Sequence, residues 1–137
     1  MYIMKKSMLI KGSILGGLAV ILGAFGAHAL KEVLTPKQLI SFETGVRYQM
    51  YHALVLMFLF IITLKINHIF FNRAAHFIFW GVILFSGSIY LLTLKNMLGI
   101  ESLKYLAPLT PIGGGLIIIG WIFILLGGLK KSPRLKK

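Results

Sequence analysis

Four long apolar runs, separated by short polar stretches, most constrain what this chain can fold into. They cover about residues 12–30, 46–64, 74–94 and 111–129. A helix of about 20 residues, rising about 1.5 Å per residue, crosses the hydrocarbon core of a bilayer. Because 58% of the 137 residues are hydrophobic, residues 1–137 are expected to form a single membrane domain. The pattern predicts an all-α integral membrane four-helix bundle.

The lysines and arginines predict how this bundle is oriented. An even number of spans places both termini on one side. The termini and the connection between the second and third runs hold ten of the fifteen basic residues, including a basic tail over 130–137. The positive-inside rule therefore predicts that both termini are cytoplasmic. The formal charge of +12 does not gather in one patch, so no nucleic-acid partner is predicted.

Small residues recur with a heptad spacing in three of the runs. In lipid, such residues let helix backbones approach closely, so these positions predict tight helix contacts. The basic start and Ala27-His28-Ala29 also imitate a cleaved signal peptide, but the small residues favour a retained, packed first helix. The predicted packing positions are Gly12, Gly16, Ala19, Gly23, Gly26, Gly81, Gly113 and Gly120.

The second helix has a recognisable start. Thr35-Pro36-Lys37-Gln38 offers an N-cap threonine, a proline at the first helical position and a glutamine at the capping-box position. The first turns are too polar for the hydrocarbon core, so an interfacial helix over about 36–45 is predicted to lead into the second span.

Polar side chains gather in the segment Phe42 to Leu54, FETGVRYQMYHAL. In a helix Glu43, Arg47 and Tyr51 share one face, which leaves only Phe42, Val46 and Met50 for lipid to cover. A structural interpretation ties the helix start with a Glu43–Arg47 ion pair, and a functional one makes the segment a substrate or proton site. With residues from other runs, all in the predicted outer half, the candidate pocket comprises His28, Glu43, Arg47, Tyr48, Gln49, Tyr51, His52, Ser86, Ser88, Tyr90 and Thr110.

Four stretches carry a family resemblance: GAFGAHAL at 23–30, FETGVRYQMYHAL at 42–54, FSGSIYLL at 85–92, and TPIGG at 110–114 followed by Gly120-Trp121. Together they resemble the YgdD-like small inner-membrane proteins of bacteria, a domain-of-unknown-function family related to eukaryotic transmembrane protein 256. Phe42 and Thr44-Gly45 depart mildly from its usual pattern. The resemblance implies a four-span protein of the bacterial inner (cytoplasmic) membrane. It implies no reaction.

The leading functional hypothesis is a binding or assembly role for the outer pocket. Its partner would be the lipid bilayer itself, a lipid headgroup, a small ligand or another membrane protein, and a homo-oligomer stays open. The alternative is a proton-linked or small-solute transporter that uses Glu43 and His52 as relay groups. No catalytic constellation is recognisable, and the chain has no cysteine, so an enzyme is not predicted.

Cofactors and metals receive little support from the sequence. His28 and His52 have similar predicted depths on adjacent spans and could together ligate a haem iron, although a plain interhelical hydrogen bond would satisfy each of them equally well. Zinc would need a third or fourth ligand, and Glu43 is the only suitable carboxylate. No metal site and no other cofactor are predicted.

Overall fold

The computed structural model describes residues 2–66 and 68–130. These residues form four long helices: α1 (Tyr2–Ala27), α2 (Pro36–Lys65), α3 (Ile69–Leu98) and α4 (Leu109–Leu129). Short 3₁₀ turns at Leu30–Glu32 and Glu101–Leu106 lie in the first and third connections, and the described residues contain no strand. All four helices are long and apolar enough to cross a membrane, which confirms the predicted all-α membrane bundle. The predicted tail over 130–137, apart from Lys130, lies outside the described residues.

Local sequence signals mark the start of α2 and the end of α3. The predicted capping box at α2 is confirmed, because Thr35 Oγ1 accepts from the backbone N–H of Gln38 at 3.3 Å while Gln38 Oε1 accepts from that of Thr35 at 3.0 Å. From that cap α2 runs unbroken to Lys65. Gly99 ends α3 with a left-handed φ of 67°.

The small-residue positions show that consecutive helices run antiparallel. In α1, a Cβ added at Gly12 would lie 2.8 Å from Met57 Cγ, near the end of α2, whereas one at Gly26 would lie 3.2 Å from Phe42, near its start. In α4, Gly113 lies against Gly81 and Gly120 against Ile78. The main packing follows the chain, with α1 on α2, α2 on α3 and α3 on α4.

One apolar core joins all four helices. It centres on Leu56 and Leu59 of α2 and on Ile78 of α3, each no more than 1% exposed. Leu15 of α1 and Ile117 of α4 close it from the two sides. This core fixes the register in which the polar groups of neighbouring helices meet.

The two ends of the bundle differ in charge. The basic end carries the starts of α1 and α3 and the ends of α2 and α4; its described charged residues are all cationic, namely Lys6, Lys11, Lys65, Arg73 and Lys130. The opposite end, the mixed end, carries all three acidic side chains of the sequence, Glu32, Glu43 and Glu101, beside basic residues. The polar groups described next lie between the core and the mixed end.

Candidate functional site

Gln49 connects three helices at the centre of the polar region. Its side chain, 4% exposed, donates from Nε2 to the carbonyl oxygen of Leu15 in α1 at 2.8 Å. Its Oε1 accepts from the hydroxyl of Tyr90 in α3, also at 2.8 Å. A primary amide in a low-dielectric interior needs such partners. Gln49 therefore fixes the mutual register of α1, α2 and α3.

His52 lies one turn further along the same buried face of α2, and both of its ring nitrogens are engaged. Nδ1 is 2.7 Å from the carbonyl oxygen of Tyr48, so this nitrogen carries the proton and donates it. Nε2 is then the acceptor for the indole N–H of Trp121 in α4, at 3.3 Å. The arrangement specifies a neutral imidazole with a defined tautomer and ties α2 to α4.

Hydroxyl groups of α3 complete the polar contacts between helices. Ser86 Oγ donates to the carbonyl oxygen of Gly45 in α2 at 2.8 Å. Ser88 Oγ and Thr110 Oγ1 are 2.7 Å apart and join α3 to α4. Inside a membrane, where water does not compete, hydrogen bonds of this kind hold helices together. The hydroxyl of Ser86 is thus satisfied by a backbone carbonyl, and those of Ser88 and Thr110 are satisfied by each other.

A second group of predicted pocket residues lies on the outside of the bundle. Glu43, Arg47, Tyr48, Tyr51 and His28 are all exposed. The structure thus divides the predicted pocket into two sets. Gln49, His52, Ser86, Ser88, Tyr90 and Thr110 connect helices, whereas the exposed set faces away from the core.

Two local predictions about α2 are wrong. The predicted Glu43–Arg47 ion pair is not formed; the guanidinium of Arg47 donates instead to Thr44 Oγ1 at 3.4 Å, because both charged groups lie where solvent or headgroups can solvate them. Phe42, predicted to face lipid, is 1% exposed. Its ring packs 5.0 Å from that of Tyr90, measured between centroids, beneath Gly26 of α1.

The two histidines do not fit a shared haem iron. Axial ligation needs a free nitrogen on each ring, but both nitrogens of His52 are hydrogen-bonded, and His28 is exposed near the end of α1. Among the described residues, no group of three or more His, Cys, Asp or Glu side chains gathers closely enough to hold a metal ion.

A groove of about 610 Å³ lies between α2 and α4 beside the polar residues and is called the α2–α4 groove. Along α2 the lining changes from aromatic and polar side chains nearer the mixed end to aliphatic side chains and Phe58 further from it, whereas along α4 two isoleucines lie nearer that end than Trp121. The lining residues are Tyr48, Tyr51, His52, Leu54, Val55, Phe58, Ile117, Ile118 and Trp121. The α2 wall of the groove therefore changes from polar to apolar along its length, while the α4 wall does not.

Trp121 is the residue of this surface that the sequence prediction missed. Its indole ring meets the imidazole of His52 edge-on, with centroids 6.4 Å apart, and the side chain is 48% exposed. A signal was present, because an indole N–H in an otherwise apolar helix requires an acceptor from another helix. Which helix supplies it depends on the tertiary register.

Comparison with known proteins places the chain in a family. Residues 22–114 match the family model described as "Protein of unknown function (DUF423)". The chain belongs to the DUF423 family. The matched segment contains both sets of predicted pocket residues but ends before Trp121.

Bacterial relatives match the DUF423 chain over nearly its whole length. The UPF0382 membrane protein YwdK of Bacillus subtilis (strain 168) is 40% identical over 91% of this chain and 98% of its own. A UPF0382 membrane protein of Staphylococcus epidermidis (strain ATCC 12228) is 39% identical over 91% and 97%. The UPF0382 inner membrane protein YgdD of Escherichia coli (strain K12) is 35% identical over 90% and 89%. No solved structure matches the chain.

Proposed function

We propose that this DUF423 protein is a binding protein of the cytoplasmic membrane, and that an amphipathic, membrane-soluble small molecule occupies the α2–α4 groove. The observation that carries the proposal is the change of polarity along the α2 wall of that groove. The tyrosine hydroxyls of α2 nearer the mixed end suit a polar head, and Leu54 and Phe58 further from it suit an apolar body.

Two charged residues of α2 lie further toward the mixed end. Glu43 precedes Tyr48 by five residues and Arg47 precedes it by one, and their side chains are exposed and unpaired with each other. They line the side of α2 that faces Gly23 and Gly26 of α1. Together they offer one anionic and one cationic partner to a headgroup at the membrane interface. In this proposal the exposed residues recognise the head, while Gln49, His52 and Ser86 hold the helices that shape the groove.

Two leucines with equal exposure provide a matched test. Leu54 lines the groove and Leu18 of α1 does not, yet each is 47% exposed, and Gly16 against Ala53 places them at similar depth. A photoreactive diazirine amino acid is introduced at either position, intact membranes are irradiated, and the adduct masses are measured. We expect one defined small-molecule adduct at position 54 and a mixture of bulk lipids at position 18.

Other adduct patterns would contradict the proposal. Equal lipid mixtures at both positions would show that the groove holds only bulk lipid, and a protein adduct specific to position 54 would show that a partner's helix fills it.

The transporter alternative predicts a different result: pH-driven solute flux into reconstituted vesicles, which Glu43→Gln abolishes. The described acidic side chains are all exposed at the mixed end, which favours binding over a relay through the bundle.

A further inference from the structure

A separate cavity lies at the basic end of the bundle, away from the α2–α4 groove. It has a volume of about 240 Å³ and lies between α1, α2 and α3. Its apolar wall is formed by Met8, Leu56 and Ala75, all buried. Polar groups from α1 and α3 line the remainder: Ser7, Lys11, Asn72 and His76.

Lys11 brings a positive charge to this cavity without a carboxylate partner. It is half-buried, and its ammonium lies 4.5 Å from the centroid of the Phe79 ring. Every acidic side chain of the sequence lies at the mixed end. An ammonium inside a membrane helix is stabilised by a counter-charge or by access to headgroups, and an acidic side chain of this chain is not placed to supply the counter-charge at this end.

Asn72 gives the cavity a second recognition group. The residue is 9% exposed, and its Oδ1 is buried with no hydrogen-bond partner among the described residues. Buried carboxamides are normally satisfied, and an exception calls for a specific cause. The Nδ2 of the same carboxamide is a hydrogen-bond donor on a residue that lines the cavity.

We propose that this basic-end cavity binds a phosphate group, with Lys11 as the cationic partner and Asn72 as a hydrogen-bond donor. Ser7 supplies a hydroxyl, and exposed His76 lies at the rim, held through Nδ1 by the carbonyl oxygen of Asn72 at 3.2 Å. The phosphate belongs either to the headgroup of an anionic lipid or to a soluble phosphate ester. The apolar wall, which continues into the helix surfaces, favours the lipid.

The test uses the full-length protein, delipidated in detergent and titrated under native mass spectrometry with phosphatidylglycerol or with diacylglycerol, which lacks the phosphate. We expect one phosphatidylglycerol to bind with an affinity that Lys11→Gln lowers about tenfold, as for the loss of one charged contact. Lys65→Gln removes an exposed charge from the same end, outside the cavity, and should leave the affinity unchanged. Lys11→Arg should restore most of it.

Further arms separate the sources of phosphate and guard against misfolding. Binding of glycerol 3-phosphate that depends on Lys11 would assign the site to a soluble ester, whereas dependence confined to the lipid would assign it to a headgroup. Asn72→Leu provides a second variant if Lys11→Gln unfolds. Equal binding of the two lipids, or equal losses in Lys11→Gln and Lys65→Gln, would overturn the proposal and leave a cavity filled only with water.

Discussion

At the scale of single residues, the buried polar side chains of this protein serve helix contacts more than solute contacts. Gln49 illustrates this, because one carboxamide satisfies a carbonyl of α1 and a hydroxyl of α3 simultaneously. Such groups are costly in a membrane unless every polar atom finds a partner. Replacing them should therefore lower the free energy of unfolding of the bundle.

Gln49→Leu should lower the free energy of unfolding by about 1–2 kcal/mol, since it removes two interhelical hydrogen bonds. Tyr90→Phe should cost less, because it removes one. The double variant should cost less than the sum of the two, with a coupling of about 0.5–1 kcal/mol. Unfolding in mixed micelles measures all three. Tyr51→Phe, at a 56% exposed position, serves as the control, and strict additivity would show that the Gln49–Tyr90 bond contributes nothing.

Sequence reasoning at this scale succeeded for local contacts and failed for tertiary ones. The capping box of Thr35 and Gln38 depends on four consecutive residues and was predictable. The burial of Phe42 was not, because lipid and protein core are both apolar and hydrophobicity cannot tell them apart. The contact of His52 with Trp121 depends on a register between α2 and α4 that no local pattern encodes.

At the scale of helices, close approach is concentrated in the contact between α3 and α4. A Cβ added at Gly81 would lie 2.9 Å from the carbonyl oxygen of Gly113, and one added at Gly120 would meet Ile78. In α1, by contrast, Gly23 has ordinary spacing, with Val46 at 3.5 Å, and the tight position is Gly12. The heptad spacing thus predicted which residues face a neighbour but not how close that neighbour comes.

Two glycines in one turn of α4 test this contact. A Cβ at Gly113 would collide with the backbone nitrogen of Phe85, whereas a Cβ at Gly115 would meet nothing within 4 Å. Gly113→Ala should therefore destabilise the protein by about 1–3 kcal/mol through overpacking. Gly115→Ala should be neutral or stabilise by up to about 1 kcal/mol through helix propensity. Thermal unfolding in detergent compares them, and similar melting temperatures would contradict the packing of α3 on α4.

At the scale of the whole molecule, charged residues are distributed unequally between the two ends of the bundle. Ten of the fifteen lysines and arginines belong to the termini and the second connection, and all three acids belong to the opposite end. The fold places the start of α1 and the end of α4 at the basic end of the bundle. For its orientation in the membrane, the positive-inside rule predicts that the basic end faces the cytoplasm. Under that prediction the basic-end cavity lies on the cytoplasmic side and the α2–α4 groove lies toward the outer side.

The absence of cysteine from the sequence makes the orientation directly testable. Ser102→Cys places a thiol in the exposed 3₁₀ turn at the mixed end, and Lys130→Cys places one after α4 at the basic end. In intact cells, a membrane-impermeant maleimide should label Cys at position 102 and should reach position 130 only after lysis, because ten basic residues resist translocation. The reverse pattern would show that the molecule has the opposite orientation and that the phosphate cavity lies at the outer leaflet. Equal labelling of both positions in intact cells would show that the chain inserts in two orientations, and the charge bias would then be too weak to specify one.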